Sequence, residues 1–500
     1  GTWSQGKRTT RSREKVPNIP KRKKKSPLEN VNIRVDDSMM TITRQTSSSH
    51  RTVRSECLCL LSLTVPTVVV QLSGTLPPAA TASWVGRRLG TTSLDGFSLG
   101  IIATNIVCLA VLQGLLSASD TLSSQAYGAG NKREVGLVAM RSVFLGWMAS
   151  IPLNVSAALV MQPVLVALGE DPGVSALAAR WFRAYCLIMT PFYVVFRSVW
   201  KFLQAQSVMV PLVAVTVVCC VIVLPATLSV LVPTMGFIGS ALAMTIFQVV
   251  QAAMLILVLR WRVPHDPETW PGLCAWREVL CDRRAMKTYL SLGLGGILAS
   301  TEWWYWEVLS GLVGTFGVVP LSVHTVPNQV IAVCFMVPLG AGIALSARLG
   351  NIISVDAVLA KRMVMWCYAV GLTAMVLMAI ALYVFQNAIV ALFTNDPEVV
   401  EGCERIWVFV VLYHLNLSLY GFNMGTMNGL GMQWVLGRTT LVFTWFLGLP
   451  LAYYVSVVRG GGLDALWRWA INTPYFGLNV VLCLSFATAN WSEIGEQVRK

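Results

Sequence analysis

Charge is scarce in this chain. Only 12% of its 500 residues are Asp, Glu, Lys or Arg, while 55% are hydrophobic; an ordinary soluble protein carries about 25% charged residues. No polar block is long enough to build a large soluble domain, which excludes cytosolic chemistry on one. Histidine is rarer still, with four in all, a scarcity that argues against a multi-histidine metal centre. The twelve cysteines are scattered, mostly within apolar segments. Cys57/Cys59 and Cys219/Cys220 lack zinc-site spacing and nearby histidines, so they read as small packing residues. No phosphate-cradling loop, HExxH or Ser-His-Asp arrangement is present, and the glycines around 293–298 follow no strand and precede no suitably placed acid. The expectation is a protein that is not an enzyme and has no cofactor, no metal site and no nucleic-acid partner.

What the chain has in abundance is long apolar runs. They fall at 57–86, 94–118, 135–161, 176–203, 211–232, 236–260, 286–314, 320–347, 361–386, 402–428, 435–458 and 464–489, each able to cross roughly 30 Å of hydrocarbon. The fold class is therefore an all-α polytopic membrane protein with twelve transmembrane helices, the lipid bilayer being its first partner. The net charge of +14 sits mostly in an N-terminal tail: residues 1–56 hold 14 Lys/Arg against 5 Asp/Glu, and the rest hold 24 against 19. The run Lys21-Arg22-Lys23-Lys24-Lys25 belongs to that tail, which reads as a disordered basic cytosolic segment, with anionic-lipid binding or targeting as the sharper alternative. No cleavable signal peptide is evident, and the first apolar segment is long enough to stay as helix 1. With a cytosolic N-terminus the inner loops hold 15 Lys/Arg and the outer loops and nearby helix ends 7, an imbalance that puts both termini in the cytosol.

The chain repeats itself. Val166-Ala167-Leu168 recurs as Val390-Ala391-Leu392, Asp171-Pro172 as Asp396-Pro397, Leu224-Pro225 as Leu449-Pro450, and Gly236 as Gly461, always 224 or 225 residues on. Six helices per repeat return the chain to its starting side, so the halves share one orientation about an axis along the membrane normal. The expected organisation is a tail at 1–56, an N-lobe at 57–260, a charged, Trp-containing cytosolic linker at 261–285, a C-lobe at 286–491 and a short cytosolic tail at 492–500. Two pseudo-symmetric six-helix lobes around a central cavity suit alternating access.

Two carboxylates stand out inside a span. Glu302 and Glu307 lie in the run EWWYWE, and no other acid occurs between Leu290 and Leu345. An ionisable group in the bilayer core costs several kcal/mol unless it faces a cavity or a partner, so the pair marks a candidate site for a proton and a cation. Five residues on a regular helix separate them by about 140°, so one is expected to line the cavity and the other to face the bundle or the cavity edge. The intervening Trp303, Trp304, Tyr305 and Trp306 could hold an organic cation against their rings, or pack against lipid and core. Asn105 and Gln71 are neutral polar residues in helices 2 and 1, read as interhelical hydrogen-bonding groups with cavity lining as the alternative. His324 and His414 read as interior hydrogen-bonded residues or proton relays. Asp120 is placed at the end of helix 2 as a cap or loop pin with a possible gating role, and Lys201 as a residue that snorkels.

Several longer motifs resemble one family. LLSASDTLSSQAYGAGN (115–131), EWWYWEVLSG (302–311), MVPLGAGIALSARLGN (336–351), LFTNDPEV (392–399) and Asn490-Trp491 are similar, in order and spacing, to the eukaryotic branch of the multidrug and toxic compound extrusion family. The resemblance runs from about residue 57 to 491. It implies two six-helix lobes and secondary antiport, usually export of a cation or drug against entering protons. It also implies that Glu302 and Glu307 match glutamates of the family's helix-7 proton and cation site, and that Asn105 matches a helix-2 asparagine. Three positions depart from the pattern. Animal members carry a glutamate in helix 8 where this chain has Gln329. Eukaryotic members carry an acid in helix 10 where it has Leu417, with Asn416 beside it. Helix 1 has Gln71 and no carboxylate.

The expected function is thus a proton-coupled antiporter for organic cations, xenobiotics or amphiphilic metabolites, with Glu302 and Glu307 as the proton and cation site and sodium as the less favoured coupling ion. Gln71, Asn105, Trp303, Trp304, Tyr305, Trp306, His324, Gln329 and Asn416 are cavity-lining candidates. An uncoupled or differently coupled exporter of organic anions or lipid-linked substrates is the alternative within transport, and a membrane receptor without flux the alternative outside it. A monomer in the plasma membrane is favoured over a vacuolar or vesicular location.

Overall fold

The computed structural model describes residues 52–262 and 265–499; the Lys21–Lys25 run lies outside them. Twelve long helices carry the fold: α1 Val53–Leu89, α2 Thr91–Gly128, α3 Lys132–Ala167, α4 Pro172–Ala205, α5 Val210–Met235, α6 Phe237–Arg262, α7 Arg283–Gly314, α8 Val318–Ile353, α9 Ala357–Val384, α10 Pro397–Leu430, α11 Gln433–Val458 and α12 Gly462–Thr488. A short α13, Trp491–Arg499, follows, and no strand occurs among the described residues. Backbone hydrogen bonds cannot be lent by lipid, so helices that satisfy their own are the only open-chain solution. Eleven of the twelve are apolar and long enough to cross a membrane. The exception is α7, whose middle is diluted by glycines and holds the two glutamates.

The internal repeat turns out to be helix punctuation. Asp171 and Asp396 cap α4 and α10: Asp171 Oδ1 accepts from Gly173 N and Val174 N at 2.8 and 3.0 Å, and Asp396 Oδ1 from Glu398 N at 3.0 Å. Pro172 and Pro397 sit at the first helical position, where a missing N–H costs nothing. Pro225 and Pro450 each follow a π-helical turn, Cys219–Val223 in α5 and Val442–Gly448 in α11. A proline inside a helix cannot donate to the preceding turn and its ring crowds that carbonyl, so the ladder widens just before it. Gly236 makes the tight α5–α6 turn with a φ of +62°, a conformation open to glycine.

The two halves meet along α1, α2, α7 and α8, with α1 against α8 and α2 against both α7 and α8. The contacts rely on missing side chains. A Cβ on Gly114 would come within 2.5 Å of Ile297 Cα, and one on Gly340 within 2.8 Å of Val68 Cα. Polar groups finish the seal towards the face where Thr52 and Arg499 both lie. Arg348 Nε donates to Glu56 at 2.6 Å, Asn351 Nδ2 to Ala205 O at 3.0 Å, Gln204 Nε2 to Ile343 O at 3.1 Å, and Gln125 Nε2 to Gly429 O at 3.0 Å. This face is closed.

The structure adds local detail at three of the expected boundaries and segments. Helix 1 begins at Val53, before the expected 57, because Thr52 and Ser55 form a capping box. The segment read as a C-terminal tail is α13, docked by Arg499 onto Val355 O at 2.9 Å. The segment between α6 and α7 is folded: Pro267–Thr269 and Leu273–Ala275 form single turns and Trp276–Cys281 a short helix. Ala275 and Val279 pack on Leu137 and Met140 of α3. Lys132 bridges Asp266 and Glu268 at 2.8 and 2.9 Å; its ammonium holds the Asp266 carboxyl below the usual carboxylate range.

A Gly114→Leu substitution is expected to wedge α2 from α7, costing about 1–3 kcal/mol. Spin labels at Asn131 and Val358 should then report a broader, longer distance distribution across the closed face.

Candidate functional site

Towards the opposite face the halves part around a cavity of about 330 Å³, a size suited to a small organic ligand. Its walls come from both halves: Asn105 and Ile106 of α2, the Glu302–Glu307 stretch of α7, and Asn328, Gln329 and Phe335 of α8. Asn105 opens a π-helical turn, Asn105–Leu109, a local widening common at functional positions.

Both glutamates border the cavity, in different ways. Residues four apart stack on one side of a helix. Glu302 and Trp306 therefore form one stripe and Trp303 and Glu307 another, about 100° round. The cavity wraps far enough around α7 to border both: Glu307 opens into it, while Glu302 turns towards α12 at its wall. Glu302 is only 4% exposed. Its Oε1 accepts from the Tyr475 hydroxyl of α12 and from Trp306 Nε1, the latter at 3.2 Å; Trp306 Nε1 also donates to the Tyr475 hydroxyl oxygen at 2.9 Å. Tyr413 closes this corner, its ring 5.0 Å from that of Tyr475 and 4.9 Å from that of Trp306. Glu307 is exposed to the cavity.

The other candidates divide. Trp303, Trp304, Trp306 and Gln329 line this cavity, as does Leu417 where the family pattern has an acid. Trp304 also spans the halves, donating to Ile106 O at 3.1 Å. Gln71 lines a smaller cavity below. Tyr305 does not face the cavity: its side chain is buried in the C-half core and its hydroxyl donates to Ala470 O at 3.3 Å. His324 is fully buried, paired with Ser310 at 3.3 Å behind Trp306. Asn416 turns towards α12, where it bonds Asn472 at 3.3 Å. These three stand on the side of their helices that packs the C-half, which the cavity does not reach.

Asp120 is neither a cap nor a loop pin. It lies within α2, which runs on to Gly128, and its two oxygens accept from Lys201 Nζ at 2.6 and 2.7 Å. Lys201 is buried as well, so it does not snorkel. Tyr475, Tyr413 and Asn328 went unmarked in the sequence. Each lies among other polar residues of a long helix, with no local pattern to connect it to α7.

Removing one member of a buried ion pair strands the other charge and costs about 3–5 kcal/mol. Asp120→Asn and Lys201→Met are each expected to lower the thermal midpoint of the purified protein strongly, with the double variant recovering most of the loss.

The arrangement has close counterparts. A family model described as MatE matches residues 66–228 and 297–454. Multidrug and toxin extrusion protein 2 of Mus musculus is 27% identical over 460 residues, 89% of this chain and 77% of that protein. Multidrug and toxin extrusion protein 1 of Homo sapiens is 28% identical over 454 residues, again 89% and 77%. Among solved structures, the eukaryotic MATE transporter AtDTX14 superposes with a TM-score of 0.82 at 21% identity, covering 89% of this chain and 99% of that one. An outward-facing MATE family transporter reaches 0.78 at 15% identity, with 90% and 100% covered. Those folds have twelve transmembrane helices in two lobes, as here. The protein is an integral membrane transporter rather than an enzyme, and by sequence and fold it belongs to the MatE family, on its eukaryotic side.

Proposed function

We propose that this chain is a proton-coupled antiporter that exports organic cations or amphiphilic metabolites by alternating access. The observation that carries the reading is the pair of carboxylates on α7 facing one cavity built from both halves, with Glu302 held by the Tyr475 and Trp306 donors. A cation among Trp303, Trp304 and Trp306 gains both the carboxylate charge and the ring faces. A proton arriving at a Glu302 oxygen removes that charge, and the cation leaves. Proton and cation then compete for one group, which is sufficient for exchange.

The closed face is the one where Thr52 and Arg499 lie. On the charge bias of the loops that face is cytosolic, so the open cavity looks outward, ready to release substrate and accept a proton. The relatives' names, which speak of multidrug and toxin extrusion, favour drug-like substrates for this site. Plasma membrane placement and a monomeric unit complete the proposal.

The test is uptake of a fluorescent organic cation into proteoliposomes with an acidic lumen. Wild type should accumulate the dye only while the gradient lasts. Glu302→Gln should lose at least tenfold of that rate, and Glu307→Gln a smaller share. Uptake by Glu302→Gln at the wild-type rate would remove Glu302 from the coupling site.

A further inference from the structure

Directly below the glutamate cavity lies a smaller one of about 80 Å³, and Trp303 and Phe335 form a wall common to both. Its charged lining belongs to the N-half: Asp120 on α2, with the neutral Gln113 above it, and Arg197 and Lys201 on α4. Lys201 engages both oxygens of Asp120, so that pair is internally neutral. Arg197 is the remainder. It is 8% exposed, and none of the described carboxylates lies within ion-pair distance of it. Its Nη2 donates to Gln113 Oε1 at 3.3 Å, its guanidinium lies 4.2 Å from the centre of the Trp200 ring, and its Nε meets no acceptor among the described residues. A neutral amide and an indole face compensate a buried guanidinium only in part; charges taken out of water ordinarily require a counter-charge and hydrogen bonds to every donor. The lower cavity thus carries an unmatched positive charge next to an upper cavity with two carboxylates.

We infer that Arg197 is the centre of an anion subsite, one that takes the carboxylate of a substrate whose cationic end lies at Glu302 and Glu307. This deepens the transport proposal and rests on it for the cationic end. The guanidinium fork matches a carboxylate in two parallel hydrogen bonds, and an Nε edge free of acceptors is half of that fork. Trp200 orients the plane of the guanidinium. Asn105 borders the upper cavity and Gln113 the lower, eight residues apart on α2, which sets a charge separation in the ligand of about 10–12 Å. The substrate class is therefore an elongated zwitterion, with an apolar middle running along Trp303 and Phe335.

The experiment measures binding rather than flux. Full-length protein in nanodiscs is titrated, by tryptophan quenching, with 8-(trimethylammonio)octanoate and with its methyl ester, which keeps the cation and the length but lacks the anion. Wild type should bind the acid at least tenfold more tightly than the ester. Arg197→Gln should bring that ratio to about one, and Arg197→Lys, which keeps the charge and loses the fork, should give an intermediate ratio. In wild type, acetate should weaken the acid and leave the ester unaffected, a readout that needs no variant to fold. Equal affinities in wild type, or a ratio unchanged in Arg197→Gln with a normal melting profile, would overturn the subsite. A ratio that depends on Arg197 in a protein that moves no substrate would keep the subsite and sink the transport proposal instead.

Discussion

Hydrocarbon offers no partner to a polar group, and the whole arrangement answers to that. Most charges within the helical body are settled by another part of the chain: Glu56 by Arg348, Asp120 by Lys201, Glu302 by Tyr475 and Trp306; Glu307 and Arg197, which line the two cavities, are the exceptions. The first two settlements draw helices together. Glu56–Arg348 joins α1 to α8 across the halves, and Asp120–Lys201 joins α2 to α4 within one. The third leaves its carboxylate at the wall of a cavity, where a ligand can reach it. Uncharged amides obey the same rule; Asn423, Asn479 and Asn416 link α10 to α12 by bonds of 2.9 and 2.8 Å, and Asn154 binds Thr190 at 2.7 Å between α3 and α4.

The division of the molecule into a closed end and an open end follows from residue size. Gly114, Gly296 and Gly340 allow backbones to meet where the halves touch, and close approach is what drives helices together when lipid is as apolar as their side chains. Further along the same helices the residues are Asn105, Trp303, Trp304 and Gln329, too large or too polar for such contact, and there the halves separate. Three helices, α2, α7 and α8, are both seam and cavity wall because their composition changes along their length.

The sequence disclosed most of the fold, for a physical reason. Spans, caps and proline-induced turns are local, so the apolar runs and the Asp-Pro and Leu-Pro repeats were readable without coordinates. The family resemblance rested on longer motifs of the same kind. The two glutamates were legible because a carboxylate in a long apolar run is conspicuous by cost alone. Their partners were not. Tyr475 lies more than 170 residues from Glu302, and a tyrosine in a membrane helix is ordinary. Asp120 misled because it stands just past its apolar stretch; α2 runs on to Gly128, and the extra turns carry it into the packed interior. Lys201 misled because it stands near the end of its stretch, while its burial depends on Asp120, 81 residues away in sequence. Tyr305, His324 and Asn416 had the right chemistry on the wrong side of their helices, which a one-dimensional pattern does not resolve.

One detail at the junction of the halves bears on how they could move. Asp282 caps α7 through Oδ1, which accepts from Ala285 N at 3.0 Å, while its Oδ2 accepts from Arg141 Nη2 of α3 at 3.4 Å. The folded segment before it rests on α3 as well. A single carboxylate therefore ties the first turn of the glutamate-bearing helix to the other half, and the connector behind it is a bracket rather than a slack tether. A rotation of one half against the other would have its pivot there, at the root of α7, and the far end of that helix would sweep the widest arc. The carboxylates sit well out along that lever.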